Sequence, residues 1–218
     1  MIQMWKLIQK YGDVFLDGLF GTLWISVVTV ILGTVLGMLI ALLKMGKSRF
    51  LRAIAEVYVE VLRGTPALLQ LYFFWLGLPK IFPKITDVES IVVALVINAS
   101  AYICEIIRAG IGAVDKGQWE AARSLGLSPT HVMTRVILPQ AVKNILPALC
   151  NEFITTIKGT SLASVFFVGE LMTSYKTVQS VTFLALQSLS IVGIIYFILN
   201  FGLSRLLKVL ERRLTLSD

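Results

Sequence analysis

Five polar side chains interrupt long apolar stretches of the chain: Asn98, Tyr102, Glu152, Thr155 and Ser161. Polar groups at membrane depth are costly, so they usually face a cavity or another polar group. The Glu152 carboxylate can bind the ammonium or guanidinium group of an amino acid, or it can pair with a neighbouring helix, and both interpretations stay open. The same two interpretations apply to Asn98, and the other three residues are weaker candidates. These residue types predict a binding site for a small polar solute, and an intramembrane carboxylate favours a cationic one.

The apolar stretch that carries Glu152 is interrupted soon afterwards, at Lys158-Gly159-Thr160-Ser161. Interrupted helices often line transport sites, because their freed backbone groups can contact a solute. We therefore expect a substrate path beside this break, and for Lys158 itself we expect a structural or gating role.

The sequence offers no residue cluster of the kind that enzymes and metal sites need. Its single histidine, His131, has no ligand-type companions, and Cys104 and Cys150 stand in apolar segments as small hydrophobic residues. Gly46-Lys47-Ser48 looks like the end of a phosphate-binding loop, but the glycine required five positions before Gly46 is Ala41, and the segment follows a helix. We expect no ATP site, metal or cofactor in this chain, and a membrane enzyme is a remote alternative.

The elements that must position these residues are apolar enough for lipid. Of the 218 residues, 56% are hydrophobic and 15% are charged, whereas a soluble domain carries about 25% charged residues. We predict an all-α polytopic membrane protein, with residues 1–18 in the membrane interface, a transmembrane domain at 19–211 and a cytoplasmic tail at 212–218. Since about 20 apolar residues suffice to cross a bilayer, five spans are predicted: 19–43, 54–78, 91–111, 141–157 with a shorter second piece at 162–172, and 181–207.

Lysine and arginine residues set the predicted orientation, because cytoplasmic loops are richer in them. Four lie in 44–52, five in 108–143 and four in 205–213, whereas the opposite side holds six in all. The N-terminus is therefore predicted outside, and the C-terminus and segment 115–140 in the cytoplasm. The net charge of +7 thus reflects membrane orientation, and no nucleic acid partner is expected.

Glycine and proline predict how the spans pack and bend. Gly33 and Gly37 form a G-x-x-x-G pair, which permits close contact between helices in lipid. We expect this contact inside the chain rather than at a dimer seam. Gly64 and Pro66 are expected to loosen or kink the second span.

Charged residues near the cytoplasmic ends of the spans are expected to pair locally, since neighbours three and four positions apart share a helix face. Glu56 and Glu60 are expected to pair with Arg63. Glu105 is expected to pair with Arg108 rather than to contact a substrate.

Residues 115–140, hereafter the knob, form the only long segment too polar for lipid. The sequence predicts two short helices joined at Gly126, which is expected to adopt a left-handed conformation. Ser128 is expected to cap the second helix, and Pro139 is expected to end it. Such a pair of helices would give a soluble partner a rigid handle on the membrane domain.

The knob carries E-A-A at 120–122, Gly126 after three more residues, and V-I-L-P at 136–139 after a further nine. This pattern resembles the EAA signature of the membrane subunits of ATP-binding-cassette importers, with Val136 in place of the usual isoleucine. Gly159 is a second departure, since many relatives have aspartate there. The resemblance to the polar amino acid branch of this family covers nearly the whole chain and includes residues 58–70, 101–111, 116–122 and 151–164.

The resemblance implies a permease of the bacterial cytoplasmic membrane that works by alternating access, and the intramembrane carboxylates favour arginine, lysine or histidine as its cargo. It also implies a separate ATPase subunit that binds ATP and Mg²⁺, an external amino-acid-binding protein, and a second permease subunit, which is a second copy of this chain in a homodimer or a close paralogue. Closure of the ATPase subunits would then pull two knobs together, and small alanines would let the partner approach closely. The coupling residues implied in this way are Glu120, Ala121, Ala122, Arg123, Gly126, Leu127 and Pro139.

Two alternatives stay open. The cargo can be another polar amino acid, such as glutamine or glutamate. The protein can also be a self-sufficient channel or ion-driven secondary transporter, which would move its solute without an ATPase and would have no use for the EAA pattern.

Overall fold

The computed structural model describes residues 2–215, and over that range the regular secondary structure consists of helices alone, joined by short turns. Its nine α-helices in this range are α1 Ile2–Met45, α2 Arg49–Gly64, α3 Ala67–Ile81, α4 Asp87–Gly112, α5 Lys116–Ser124, α6 Pro129–His131, α7 Leu138–Gly159, α8 Leu171–Thr182 and α9 Ala185–Thr215. A π-helical turn, Val132–Ile137, joins α6 to α7, and a 3₁₀ segment, Thr160–Phe166, follows α7. Of the predicted cytoplasmic tail, residues 216–218 lie outside the described residues.

Three helices within the described range are long and apolar enough to cross a membrane. They are α1, α4 and the part of α9 at Ala185–Val209. α3 is also apolar but has only 15 residues. The protein is therefore an all-helical membrane protein, as the composition predicts.

α1 extends through the segment predicted to lie in the membrane interface. It begins at Ile2 and departs from helical geometry at Tyr11, where φ is −122° and ψ is 19°. Beyond this kink, α8 lies directly against it: a Cβ atom at Gly18 would overlap the Ser174 Oγ. The backbone N–H of Leu171 also donates to Thr22 Oγ1 at 3.1 Å, so α8 is fixed to the first half of α1.

α1 packs against α4 along its small-residue face. A Cβ atom at Gly33 would lie 3.3 Å from the Ala99 Cβ, and one at Gly37 would lie 2.8 Å from the Ser100 carbonyl oxygen. A side chain at Gly37 therefore has no room. The G-x-x-x-G pair brings two helices of the same chain together, as predicted.

The second predicted span, residues 54–78, is two helices rather than one kinked helix. Thr65 and Pro66 are both extended, with ψ of 150° and 133°, because proline disfavours a helical conformation in the residue before it. The buried Gln70 bridges this break: its Nε2 donates to the Leu62 carbonyl oxygen and to Thr65 Oγ1, each at 2.8 Å.

The second helix of the knob does not end at Pro139, contrary to the prediction. α6 runs through the π turn into α7, where Pro139 occupies the first turn. The Leu138 N–H donates to the Met133 carbonyl oxygen, a bond over five residues, and this wider turn relieves the clash that proline makes with the preceding turn. Helical structure therefore continues from Pro129 to Gly159 and joins the knob to the helix that carries Glu152.

Candidate functional site

A cavity of about 260 Å³ lies between α4 and α7, with α1 and α3 at its margins. Four of the five predicted site residues line it, two from each of the main helices. Its polar lining consists of Thr29, Asn98, Tyr102, Glu152, Thr155 and Thr156. On α7 the lining positions recur every three or four residues up to Gly159, so they form one face of that helix.

Ser161 is the predicted site residue that does not line this cavity. Its Oγ donates to the Lys158 carbonyl oxygen at 2.7 Å. The chain tightens into the 3₁₀ segment after Gly159, and this changed turn leaves Ser161 outside the cavity although Leu162 still lines it.

The Glu152 carboxylate is half-buried at the wall of the cavity. It forms no ion pair and accepts no hydrogen bond among the side chains that the structure describes, which end at Val209 and Glu211. A carboxylate withdrawn from water without a cation or donor is costly. The cavity therefore presents an unpaired carboxyl group, whose charged form a cation from outside could stabilise.

Glu105 on α4 has the opposite surroundings. Its Oε1 accepts a hydrogen bond from Lys44 Nζ at 2.6 Å, and its Oε2 accepts from Arg108 Nη2 at 2.8 Å and Nε at 3.0 Å. Arg63 approaches the same oxygen at 3.9 Å. The predicted pairing of Glu105 with Arg108 is confirmed, and the carboxylate also joins α4 to α1 and α2.

The predicted pairing of Arg63 with Glu56 and Glu60 is wrong. Among the described residues the ion pair of Arg63 is with Glu105, and its guanidinium lies 5.6 Å from the centre of the Tyr102 ring. α2 packs across α4, so Arg63 reaches a carboxylate and an aromatic ring on another helix instead of the acids on its own.

Gln70 contributes to the site, and sequence reasoning missed it. Asn98 Nδ2 donates to Gln70 Oε1 at 2.9 Å, while the Gln70 amide nitrogen is used at the break between α2 and α3. No donor reaches Asn98 Oδ1 among the described residues, so this oxygen can accept a bond from a solute. The helix disruption predicted at Gly64 and Pro66 could have pointed to Gln70, because the last carbonyl groups of a helix need a polar partner nearby.

The turn of the knob has the predicted geometry. Gly126 has φ of +80°, the left-handed conformation that glycine adopts at little cost. Ser128 caps the following helix: its Oγ accepts from the His131 N–H at 3.4 Å and lies 2.8 Å from His131 Nδ1. These bonds stabilise the first turn of the second helix, and the left-handed turn at Gly126 redirects the chain between the two helices of the knob.

The coupling residues inferred from the EAA resemblance divide by exposure. Glu120, Ala121, Arg123, Gly126, Leu127 and Pro139 are exposed. Ala122 is not: only 4% of it is accessible, and it packs in the knob's own core beside Val132 and Ile137. Its small size therefore serves packing inside the chain, which corrects the expectation that it admits a partner. Leu125, which sequence reasoning missed, is 83% exposed at the tip.

Comparison with known proteins identifies the family of this chain. Residues 33–216 match the family described as the binding-protein-dependent transport system inner membrane component. The arginine transport system permease protein ArtQ of Bacillus subtilis is 42% identical over 93% of each chain. The L-cystine transport system permease protein TcyB of the same organism is 38% identical over 96% of this chain and 91% of its own length.

A solved structure described as an amino acid ABC transporter with histidines has a TM-score of 0.91 and 44% identity to this chain, and it covers 94% of this chain and 96% of the other. The family's description implies a substrate-binding protein and an ATPase as partners. The chain therefore belongs to the family of binding-protein-dependent transport system inner membrane components, as the multi-pass permease subunit of an amino acid ABC importer.

Proposed function

We propose that the chain carries polar, preferentially basic, amino acids through the cavity between α4 and α7. The observation that supports this choice is the Glu152 carboxylate, which is half-buried in the cavity wall without an ion pair among the described residues. The guanidinium of arginine or the ammonium of lysine would supply the missing charge. The free oxygen of Asn98 would accept a second bond, and Tyr102 and Thr155 would contact the remainder of the cargo.

The proposed assembly is a homodimer in a bacterial cytoplasmic membrane. Each copy has five spans, in which α2 and α3 together form the second and α7 with the 3₁₀ segment forms the fourth, and its N-terminus is outside. Tyr102 and Thr155 are exposed although they line the cavity. A second copy facing them would shield the path from lipid.

The proposed energy source is ATP, bound with Mg²⁺ on the ATPase subunit that grips the knob. The continuous helix from Pro129 to Gly159 supports this coupling, because a displacement of the knob also displaces the wall that holds Glu152. The exposed residues at the tip, Leu125 and Leu127, would enter a cleft of the ATPase. In this arrangement Glu120 and Arg123 make charged contacts at the rim.

Equilibrium binding to the purified complex of this chain with its ATPase, without the binding protein, tests the cargo. We expect Glu152→Gln to weaken arginine binding at least about tenfold, which is the loss of roughly one charge-assisted hydrogen bond, and to change glutamine binding less than about twofold by the same reasoning. Glu60→Gln is the matched control, since that exposed carboxylate on α2 does not line the cavity. An unchanged arginine affinity in Glu152→Gln would remove the proposed site.

A neutral amide such as glutamine is the second candidate cargo, because the unpaired Asn98 Oδ1 suits an amide N–H. In that case Asn98→Ala would be more damaging than Glu152→Gln, and glutamine would bind more tightly than arginine. Uptake into liposomes by this chain alone, without any ATPase, would instead support a self-sufficient transporter.

Substrate-stimulated ATP hydrolysis tests the knob. Gly126→Ala forces a side chain into a left-handed conformation, at a cost of about 1 kcal/mol, and should lower the stimulation. Gly112→Ala is the matched control, because both glycines have open space around them but only Gly126 has a positive φ. Equal stimulation in both variants would show that the angle of the knob does not matter for coupling.

A further inference from the structure

Gly159 lies on the wall of the cavity, at the last residue of α7. It shares the lining face of that helix with Glu152, seven residues earlier. Two turns of helix separate the two positions, a distance of about 10 Å along the axis. This is comparable with the extended length of a long basic amino acid, so cargo that contacts Glu152 with one end and lies along α7 would bring its other end beside Gly159.

The backbone at this position does not require glycine. Gly159 has φ of −64° and ψ of −30°, which every residue adopts readily. Glycines that end helices usually do so in the left-handed conformation, as Gly126 does here with φ of +80°. Gly159 therefore does not end α7 in that way.

Packing does not require glycine either. Apart from the adjacent residues and the backbone of its own helix, no atom of the described residues lies within 4 Å of a Cβ atom placed on Gly159, whereas a Cβ on Gly37 would lie 2.8 Å from a backbone oxygen of α4. Glycine also destabilises a helix relative to alanine. The remaining consequence of glycine at this position is the space that it leaves in the cavity.

We propose that Gly159 determines specificity, by leaving the length of cavity that long basic side chains occupy. This inference rests on the proposed function, since it takes Glu152 as the residue that holds the charged end of the cargo. A side chain at position 159 would shorten the usable cavity from the end remote from Glu152. Long cargo would then be excluded, and short cargo of the same charge would still bind.

A homologous series tests the proposal: lysine, ornithine and 2,4-diaminobutyrate keep the same two amino groups and lose one methylene at each step. The measurement is equilibrium binding to the purified complex of this chain with its ATPase. Gly159→Ala should weaken lysine binding about tenfold, the usual effect of one misplaced methylene in a pocket, and Gly159→Val should weaken it further. Binding of 2,4-diaminobutyrate should change less than about twofold in either variant, since the shorter cargo does not reach the added methyl groups.

Gly193 on α9 provides the matched control. It is also a helical glycine without atoms within 4 Å of an added Cβ, and it does not line this cavity. Gly193→Ala should leave all three affinities unchanged. If Gly159→Ala instead weakened all three equally, the glycine would act as a hinge and the proposal would be overturned.

Charge and space are separated by comparing Gly159→Asn with Gly159→Asp, which have nearly the same volume. If the space at position 159 determines specificity, both variants should bind lysine more weakly than the wild type. Wild-type lysine affinity in Gly159→Asp but not in Gly159→Asn would overturn the proposal. The two levels of inference are also distinguishable. A wild-type complex that binds no basic amino acid contradicts the proposed function. If binding depends on Glu152 but every Gly159 variant has the same relative affinities for lysine, ornithine and 2,4-diaminobutyrate as the wild type, only this inference is contradicted.

Discussion

Glu105 and Glu152 lie on two helices that pack against each other, α4 and α7, yet their surroundings are opposite. Glu105 has Lys44 and Arg108 within hydrogen-bonding distance and Arg63 at 3.9 Å. Glu152 has no cation among the described residues and faces a cavity. The first carboxylate joins three helices of one chain, whereas the second is available to a cation from outside. A buried acid in a membrane protein is therefore best interpreted by counting both the cations and the hydrogen-bond donors that surround it, since the fully buried Glu170 has no ion pair among the described residues but accepts four hydrogen bonds.

The largest effect on stability is expected at Glu105. Glu105→Gln would leave Lys44, which is only 17% exposed, without its counter-charge, and we expect a loss of about 3 kcal/mol. Thermal unfolding of the detergent-purified complex would measure it as a lower midpoint. Stability equal to that of the wild type would mean that the cations around Glu105 are solvated well enough not to need it.

A smaller loss is expected at Gln70, which connects the helix break to the cavity. Gln70→Leu removes the partners of Asn98 Nδ2 and the Leu62 carbonyl oxygen, at a cost of about 2 kcal/mol. Gln187→Leu is its control, because Gln187 makes a similar amide contact to Gln3 at an exposed site. Equal unfolding midpoints for the two variants would show that Gln70 does not hold the break.

Arg63 should contribute less to stability than Gln70, although it contacts both Glu105 and the cavity residue Tyr102. Its side chain is 46% exposed and its distance from Glu105 is long, so Arg63→Ala should cost less than about 1 kcal/mol. Arg63→Lys keeps the charge and serves as the control for the contact with the Tyr102 ring. If Arg63→Ala destabilised the protein as much as Glu105→Gln, the three cations would have to be treated as one cooperative unit.

The smallest effect on stability is expected at Glu152. Glu152 has no cationic partner among the described residues. The free energy of unfolding of Glu152→Gln should therefore lie within about 0.5 kcal/mol of the wild-type value, or slightly above it. The unfolding measurement should be made alongside the binding assay on the same sample. A large destabilisation would place Glu152 with Glu105 as a structural carboxylate and would remove the difference between them.

Local features of the fold could be predicted from the sequence because short-range rules decide them. The left-handed turn at Gly126, the cap at Ser128 and the close contact made by Gly33 and Gly37 depend on a few neighbouring residues or on the absence of a side chain. Pro139 was wrongly expected to end its helix, since the π turn that accommodates it depends on hydrogen bonds across five residues.

The candidate site could be predicted only in part. Glu152 and Asn98 were recognisable as polar residues at membrane depth, and the structure places both on one cavity. The role of Gln70, the burial of Ala122 and the partner of Arg63 depend on how helices distant in sequence cross each other. Spacing along a single helix carries no information about those crossings.

The π turn at Val132–Ile137 has a further consequence for evolution. Such a turn holds one residue more than regular helix would, and its wider winding takes up that residue, so the helix beyond it keeps its face. Deleting a single residue there would restore ordinary helix and would set the Pro139 ring against a carbonyl group of the preceding turn. Single-residue deletions in this short stretch should therefore be tolerated only together with replacement of that proline.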